Sequence, residues 1–415
     1  MNWIIDKKQD LLWFIGSISI SYIFLSVYYG LNYFANASLA FSSLVIYLIW
    51  TVIFDATHIF ATYTRTYFDK DFRQRNARLI YGGLALLLIG PLYMLLFYTI
   101  GTKEQYRAAF LIFNRFGVLY AYYHLIRQHW GFIALYNRKN PNISAIQTKL
   151  ESVILWTGTL YPLIYHNIHY YIPFGLAEKK VDIINFQDWL FVNTTFIEIA
   201  ITLWITRLII GKNLFGAVLS IIYGILVAVF LAVSIVLYFG LTDCLRTLLL
   251  LSGYTFILAS LIYTSYLFYK KNEIKDSLPK LSLLFLVVFT NNFILSLDMP
   301  YITAYACITV FHNIQYHAIV RFHNKNKYLM NEEKFGLASI MTKNIILFVI
   351  MALSFNLIFT LPRTVIEYIS TSEIFIYFAA SFFWGIGFHH YVFDAIIWRP
   401  SRDNEVSTNL KLKYT

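Results

Sequence analysis

The chain has 415 residues, of which 59% are hydrophobic, 19% aromatic and only 13% charged. A soluble domain of this length carries roughly twice that charge fraction, so a polytopic membrane protein is expected. The net charge of +11 does not point to nucleic acid, because the basic residues stand in short clusters between apolar runs, as loops obeying the positive-inside rule do. The two cysteines, Cys244 and Cys307, lie far apart in apolar context, which excludes a disulfide framework and a thiolate metal site.

The opening MNWIIDKKQD has no small-residue cleavage site, so the first apolar run reads as a retained span. Runs of about 20 apolar residues, enough to cross about 30 Å of hydrocarbon as helix, occur near 11–31, 39–63, 79–100, 108–135, 149–171, 189–211, 215–240, 246–269, 281–297, 301–322, 340–361 and 373–397. The expected fold is therefore an all-α bundle of about twelve spans. No loop is long enough for a soluble domain, and no Gly-rich phosphate loop, low-complexity tract or internal repeat is evident, so 1–415 reads as one membrane domain. Pro91, Pro162 and Pro300 fall inside or at the ends of spans, where neighbouring helices must cover the freed carbonyls.

The connections give the orientation. Basic residues follow the even spans: Arg65, Lys70, Arg73, Arg75 and Arg78 after the second, Arg138 and Lys139 after the fourth, Arg207 and Lys212 after the sixth. Lys270, Lys271, Lys275 and Lys280 follow the eighth, Arg321, Lys325, Lys327 and Lys334 the tenth, and the tail adds Arg399, Arg402, Lys411 and Lys413. The odd connections are poorer and partly offset by acids. This alternation, with Lys7 and Lys8 at the start, puts both termini in the cytoplasm and suits a bacterial inner membrane.

Sorted by depth on that topology, the histidines gather on one side. His58 lies toward the cytoplasmic end of span two, with Asp55 three residues before it on the same face; His124 and His129 lie in span four with Gln128 between them. His312 and His317 occupy span ten with Gln315 between them, and His389 and His390 occupy span twelve with Asp394 one turn on. Ionisable groups inside a bilayer are costly and face the bundle interior, so four even spans presenting imidazoles at one depth predict a shared pocket. Several imidazoles cannot all be charged side by side, whereas neutral imidazoles are good ligands for iron, copper or zinc. The alternative is a quinol-type or proton-conducting histidine network.

Residues five apart lie about 500° round a helix and so roughly 140° off a shared face. Of His124 with His129, and of His312 with His317, either one binds or a π-bulge turns both inward. His58, His124, His312 and His390 are the expected core ligands, with His129, His317 and His389 as further ones. Asp55 and Asp394 are placed to accept an imidazole N–H or to ligate directly, and Gln128 and Gln315 complete the candidate catalytic set. Glu198 and Arg115 read either as an interhelical ion pair or as a proton-relay or headgroup site. His166 and His169, beside several tyrosines, read as an interfacial belt. Asn291, Asn292 and Asp298 read as packing and helix-breaking elements, and His323 with the following Asn/Lys run reads as the solvated exit of span ten.

An all-helical bundle with histidines on its cytoplasmic side resembles the plan of membrane fatty-acid desaturases and alkane hydroxylases, and the HWG at His129 to Gly131 is similar to the His-Phe-Gly of the bacterial carotene-cleaving Brp/Blh family. The chain departs from the desaturases in having no HxxxH or HxxHH box and about three times as many spans. The resemblance implies a non-haem iron oxygenase. The expected function is thus O2-dependent oxidation of a lipophilic small molecule among membrane lipids, at one or two iron ions, with copper or zinc as alternatives and an external electron donor. A metal or small-solute transporter, and a haem- or quinol-linked electron carrier, are the alternatives.

Overall fold

The computed structural model describes residues 2–140, 143–169, 241–270, 274–329, 332–359, 362, 366, 370–400 and 403–412. Among them every element is helical. In chain order these are α1 (Lys7–Tyr33), α2 (Leu39–Thr64), α3 (Lys70–Arg75), α4 (Ala77–Ile100), α5 (Lys103–Lys139), α6 (Ala145–His169), α7 (Leu241–Tyr269), α8 (Ile274–Leu295) and α9 (Tyr301–Tyr328). Then follow α10 (Glu332–Phe335), α11 (Leu337–Lys343), α12 (Ile345–Phe359), α13 (Glu373–Ile397) and α14 (Asn404–Asn409). The expected spans at 189–211 and 215–240, and Glu198 with them, lie outside the described residues.

Among the described residues, five helical stretches are long and apolar enough to cross a membrane: Lys7–Tyr33, Leu39–Thr64, Ala77–Ile100, Thr247–Leu267 and Asp276–Leu295. The stretch expected as a continuous span at 340–361 is instead broken: Leu337–Lys343 and Ile345–Ile358 meet at 116° around Asn344 and would make a sixth span if counted together. The cause is local. Asn344 leaves the helical region and its Oδ1 accepts the backbone N–H of Ile346 and Leu347, capping a new helix instead of continuing the old one. The other long helices, α5, α6, α9 and α13, bury polar side chains along part of their length, among them His129 on α5, Glu151 on α6, Asn313 on α9 and Ser381 on α13. Large apolar residues are exposed on several helices, among them Leu92 on α4, Leu258 and Leu261 on α7, Phe285 on α8 and Ile346 on α12, a distribution compatible with a membrane protein.

Helix ends are set by recognisable caps. Thr102 and Gln105 form a capping box at the start of α5, Gln105 N donating to Thr102 Oγ1 at 3.3 Å and Thr102 N to Gln105 Oε1 at 2.9 Å. Arg138 and Lys139 close the same helix, where cations suit the negative end of the helix dipole. Buried Asp10 accepts the backbone N–H of Ile4 and Ile5 and the hydroxyl of Tyr136, tying the start of α1 to α5.

The centre is α9, which packs against α1, α2, α5, α8, α11 and α14. Around it, α13 lies on α4, α5 and α2. That approach is close because small residues permit it: a Cβ at Gly385 would stand 2.7 Å from the Leu87 carbonyl oxygen, and one at Gly90 would collide with the Ser381 backbone. Elsewhere Glu151 and Lys280, both buried, pair at 2.5 Å and are further held by Asn137, Gln147 and Tyr263, so every charge in that cluster is matched. Asn292 donates to the Gly158 carbonyl, and Asn291 accepts from Tyr122, so these amides pin α8 to α6 and α5.

Two expectations are corrected here. His166 does not lie on the outer surface as a belt residue would: it is buried, and its Nδ1–H donates to the Leu295 carbonyl at the end of α8, at 3.0 Å. The exit of α9 is not solvated either. His323, Asn324 and Lys327 are buried, and Lys327 reaches Asp69 Oδ2 at 2.9 Å and Glu405 Oε1 at 3.0 Å, because α14 and the segment after α2 fold over it.

Candidate metal site

Imidazoles from four helices, α9 among them, converge. Donor atoms of His58 on α2, His124 on α5 and His390 on α13 all lie within 4.8 Å of one another, and all three residues are buried. The ring of His58 is 4.3 Å from that of His390 and 6.4 Å from that of His124, and the His124 and His390 rings are 5.0 Å apart. His312 on α9 adjoins them, its ring 5.1 Å from His58 and 5.5 Å from His124. The expected common pocket for His58, His124, His312 and His390 is therefore present as geometry, with His312 beside the three-histidine group rather than within it.

The nitrogens facing one another have no hydrogen bonds: both of His58, Nε2 of His124 and His390, and Nδ1 of His312 are buried without a hydrogen-bond partner. A buried polar atom left unpaired costs about 1–3 kcal/mol. Several neighbouring unpaired imidazole nitrogens fit a cation, which takes their lone pairs.

The surroundings fix one ring in detail. Asp394 Oδ1 accepts from Tyr316 Oη at 2.5 Å and from Thr62 Oγ1 at 2.9 Å. With its only proton given to the carboxylate, the Thr62 hydroxyl accepts from His390, whose Nδ1 is 2.7 Å away. In that arrangement, in which the Thr62 hydroxyl also lies 2.7 Å from Tyr316 Oη, His390 donates from Nδ1 and presents the Nε2 lone pair to the pocket. Asp394 Oδ2 lies 3.7 Å from His390 Nε2 and 3.9 Å from His124 Nε2, too far for hydrogen bonds but well placed to face the same point. On the other side, Asp55 Oδ1 stands 3.9 Å from His58 Nδ1. The helix carrying both has a π-helical stretch over Trp50–Asp55, which shifts the register of the residues entering the site.

The remaining candidates are placed elsewhere or at the margin. His317 is turned out of the cluster as the 140° argument allows, its Nε2 3.1 Å from Thr57 Oγ1, on an apolar cavity of about 490 Å³. His389 points the other way, bonded to Tyr67 Oη at 2.8 Å and stacked on Phe393. Neither belongs to the set of mutually close donor atoms. The helices carrying His124 with His129 and His312 with His317 are regular α-helix without the π-bulge that would turn both members of a pair inward, and π-helical stretches occur instead at Asp10–Ile15 of α1 and Trp50–Asp55 of α2. His129 lies on the far side of His312, ring to ring 5.6 Å. Gln315 is committed through Nε2 to the Phe14 carbonyl at 2.6 Å, while Gln128 is partly buried with both side-chain polar atoms unpaired. Thr62, Tyr316 and Trp398, whose Nε1 donates to Tyr316 Oη at 3.3 Å, were not picked out by the sequence reading. Their only signal there is spacing, since Thr62 and Tyr316 each stand four residues after a cluster histidine.

No family model, curated protein or solved structure matches the chain.

Proposed function

We propose that the protein is a twelve-span integral membrane metalloenzyme, with both termini and the histidine site on the cytoplasmic side of a bacterial inner membrane. In this reading it oxidises a lipophilic small molecule with O2 at non-haem iron. The single observation that carries the metal is the set of mutually facing donor atoms of His58, His124 and His390, all within 4.8 Å and buried. Three neutral nitrogens with a carboxylate at their edge suit a divalent transition cation with an open position. Iron bound there would supply O2 activation, while Thr62 and Asp394 would hold the His390 ring in the ligating tautomer and the apolar helices would exclude water.

The lipophilic substrate is supported by the cavity of about 490 Å³ lined by Ile53, Thr57, His317, Val320, Phe348 and Ala352, a volume in the range of small-molecule sites. Its wall on α2 adjoins His58 in sequence. The test is elemental analysis of the full-length protein after mild extraction. A stoichiometric transition metal, lost in His58→Ala and His390→Ala variants that keep their helicity, is expected. Metal-free wild-type protein would sink the reading, and bound zinc without O2 consumption would remove the oxygenase part.

One observation favours a second reading, a transporter. The 116° break at Asn344 borders that cavity through Thr342 and Ile345, and broken helices at a binding site are a transporter feature. Metal or solute uptake into proteoliposomes without chemical turnover would select it.

A further inference from the structure

The cavity beside His317 is walled by α2, α9, α11 and α12, and its polar side chains are almost all committed within the protein. Thr57 Oγ1 donates to the Ile53 carbonyl at 2.7 Å and accepts from His317 Nε2 at 3.1 Å. Thr64 Oγ1 donates to the Ala61 carbonyl at 2.7 Å and accepts from Asn324 Nδ2 at 3.1 Å, and Thr342 Oγ1 donates to the Ala338 carbonyl at 2.7 Å. Hydroxyls bonded to their own turn offer a ligand little. Arg321 is the exception. Among the described residues it is the one charged side chain lining the cavity, it is exposed, and its guanidinium has no hydrogen bond or ion pair.

Such a wall selects a ligand in two parts, an apolar body and one charged end. The floor is closed, with Val320, Met341 and Ala352 buried, whereas Ile53, Ile345 and Val349 are exposed along the open side, so an alkyl chain can enter sideways from a membrane. The lining runs along α2 from Ile53 to Thr64, roughly 16 Å at the rise of an α-helix, and the volume of about 490 Å³ is that of a small-molecule site. At the charged end, one guanidinium fork matches a carboxylate, which carries a single charge and accepts two parallel N–H bonds. A phosphate monoester, at about −1.5 to −2, exceeds the one cation present. We propose that this cavity binds a single-chain fatty carboxylate, with its head on Arg321 and its chain between α2 and α12. The proposal rests on the reading above for its lipophilic substrate and gives that substrate a class, while binding itself needs no metal.

The experiment uses full-length protein in nanodiscs of zwitterionic diacyl lipid and dodecanoate carrying a terminal diazirine. Photolabelling is mapped by mass spectrometry and competed with dodecanoate, dodecanol and dodecyl phosphate, and metal content is measured on the same samples. Saturable labelling of the α2 and α12 walls is expected, displaced by dodecanoate at a concentration about 10-fold or more below that of dodecanol, the worth of a charge-assisted hydrogen bond. Arg321→Gln should abolish this preference and keep dodecanol binding, and Ala352→Phe, which fills the floor, should abolish labelling. Equal displacement by dodecanoate and dodecanol in wild type, or an unchanged preference in Arg321→Gln, overturns the proposal and leaves Arg321 as an interfacial cation. Tighter competition by dodecyl phosphate, or labelling confined to other helices, also overturns it. Metal-free protein that shows the carboxylate preference supports the proposal and sinks the metal reading alone; metal-loaded protein without the preference does the reverse. If Ala352→Phe fails to fold, the wild-type competition and Arg321→Gln, a change at an exposed residue, decide the matter.

Discussion

The Thr62 hydroxyl lies 2.7 Å from Nδ1 of His390 and 2.9 Å from Asp394 Oδ1, so the carboxylate acts on the ring through an intervening side chain. Residues that orient a metal-bound imidazole typically change metal affinity by 10–100-fold when removed. Thr62→Val keeps the shape and deletes the relay, and is expected to weaken metal binding by about 10-fold or more with little change in helicity. Thr62→Ser should restore it. A chelator competition on both variants makes the comparison. Equal affinity in Thr62→Val and wild type would mean that the hydroxyl only fills space.

Tyr316 donates to the same carboxylate oxygen at 2.5 Å and accepts from Trp398. A hydrogen bond to a charged group contributes about 1.5–3 kcal/mol, so Tyr316→Phe should lower thermal stability and loosen Asp394. The expected signature is a larger loss in metal-loaded than in stripped protein, seen by thermal unfolding of each. A smaller loss in the loaded form would assign Tyr316 to packing alone.

Close helix packing sets the site's dimensions. A Cβ at Gly117 on α5 would collide with the Trp384 indole of α13, whereas nothing stands within 4 Å of one at Gly131. Overpacking of this kind costs about 1–3 kcal/mol. Gly117→Leu is therefore expected to push α13 away from α5, separating His390 from His124 and reducing bound metal along with stability. Gly131→Ala should leave both unchanged, as elemental analysis and thermal unfolding of the pair will report.

The convergence of His58, His124, His312 and His390 was legible in sequence because burying an imidazole in lipid is costly and topology confines it to one depth. Which way each side chain turns was not legible. The rule of 100° per residue separates His312 from His317 but does not say which joins the other imidazoles, and the π-helical Trp50–Asp55 stretch resets the phase before His58. His389 and His390 are adjacent, so periodicity alone does not choose between them, and the choice is made by packing of His389 on Phe393 and Tyr67. Thr62 and Tyr316 carry no compositional signal, since a helical Thr hydroxyl usually bonds its own turn and the chain has 33 tyrosines. The break at Asn344 lies inside a run apolar enough to read as one span, and hydropathy does not register a cap. Burial of His323 and Lys327 depends on α14, a polar helix of six residues that apolar periodicity does not detect.

That α14 cover also gives a pH dependence at the end of α9. Burial raises the Glu405 carboxyl, but Lys327 and then Arg75 outweigh it and hold it below its ordinary value. A carboxylate with a depressed value in the folded protein contributes stability above its unfolded value of about 4.5 and loses that contribution as pH falls through the folded value. The ion pairs Glu405–Lys327 and Glu405–Arg75 should therefore hold α14 onto α9 at neutral pH and release it in mild acid. Glu405 is partly solvated, so the effect is local fraying and not global unfolding. Limited proteolysis of the carboxy-terminal segment at pH 7 and near pH 4 is expected to show faster cleavage in acid. In Glu405→Gln the segment should already be cleaved faster at pH 7, with a smaller further change in acid. The same acid response in Glu405→Gln as in wild type would show that Glu405 does not hold α14 in place.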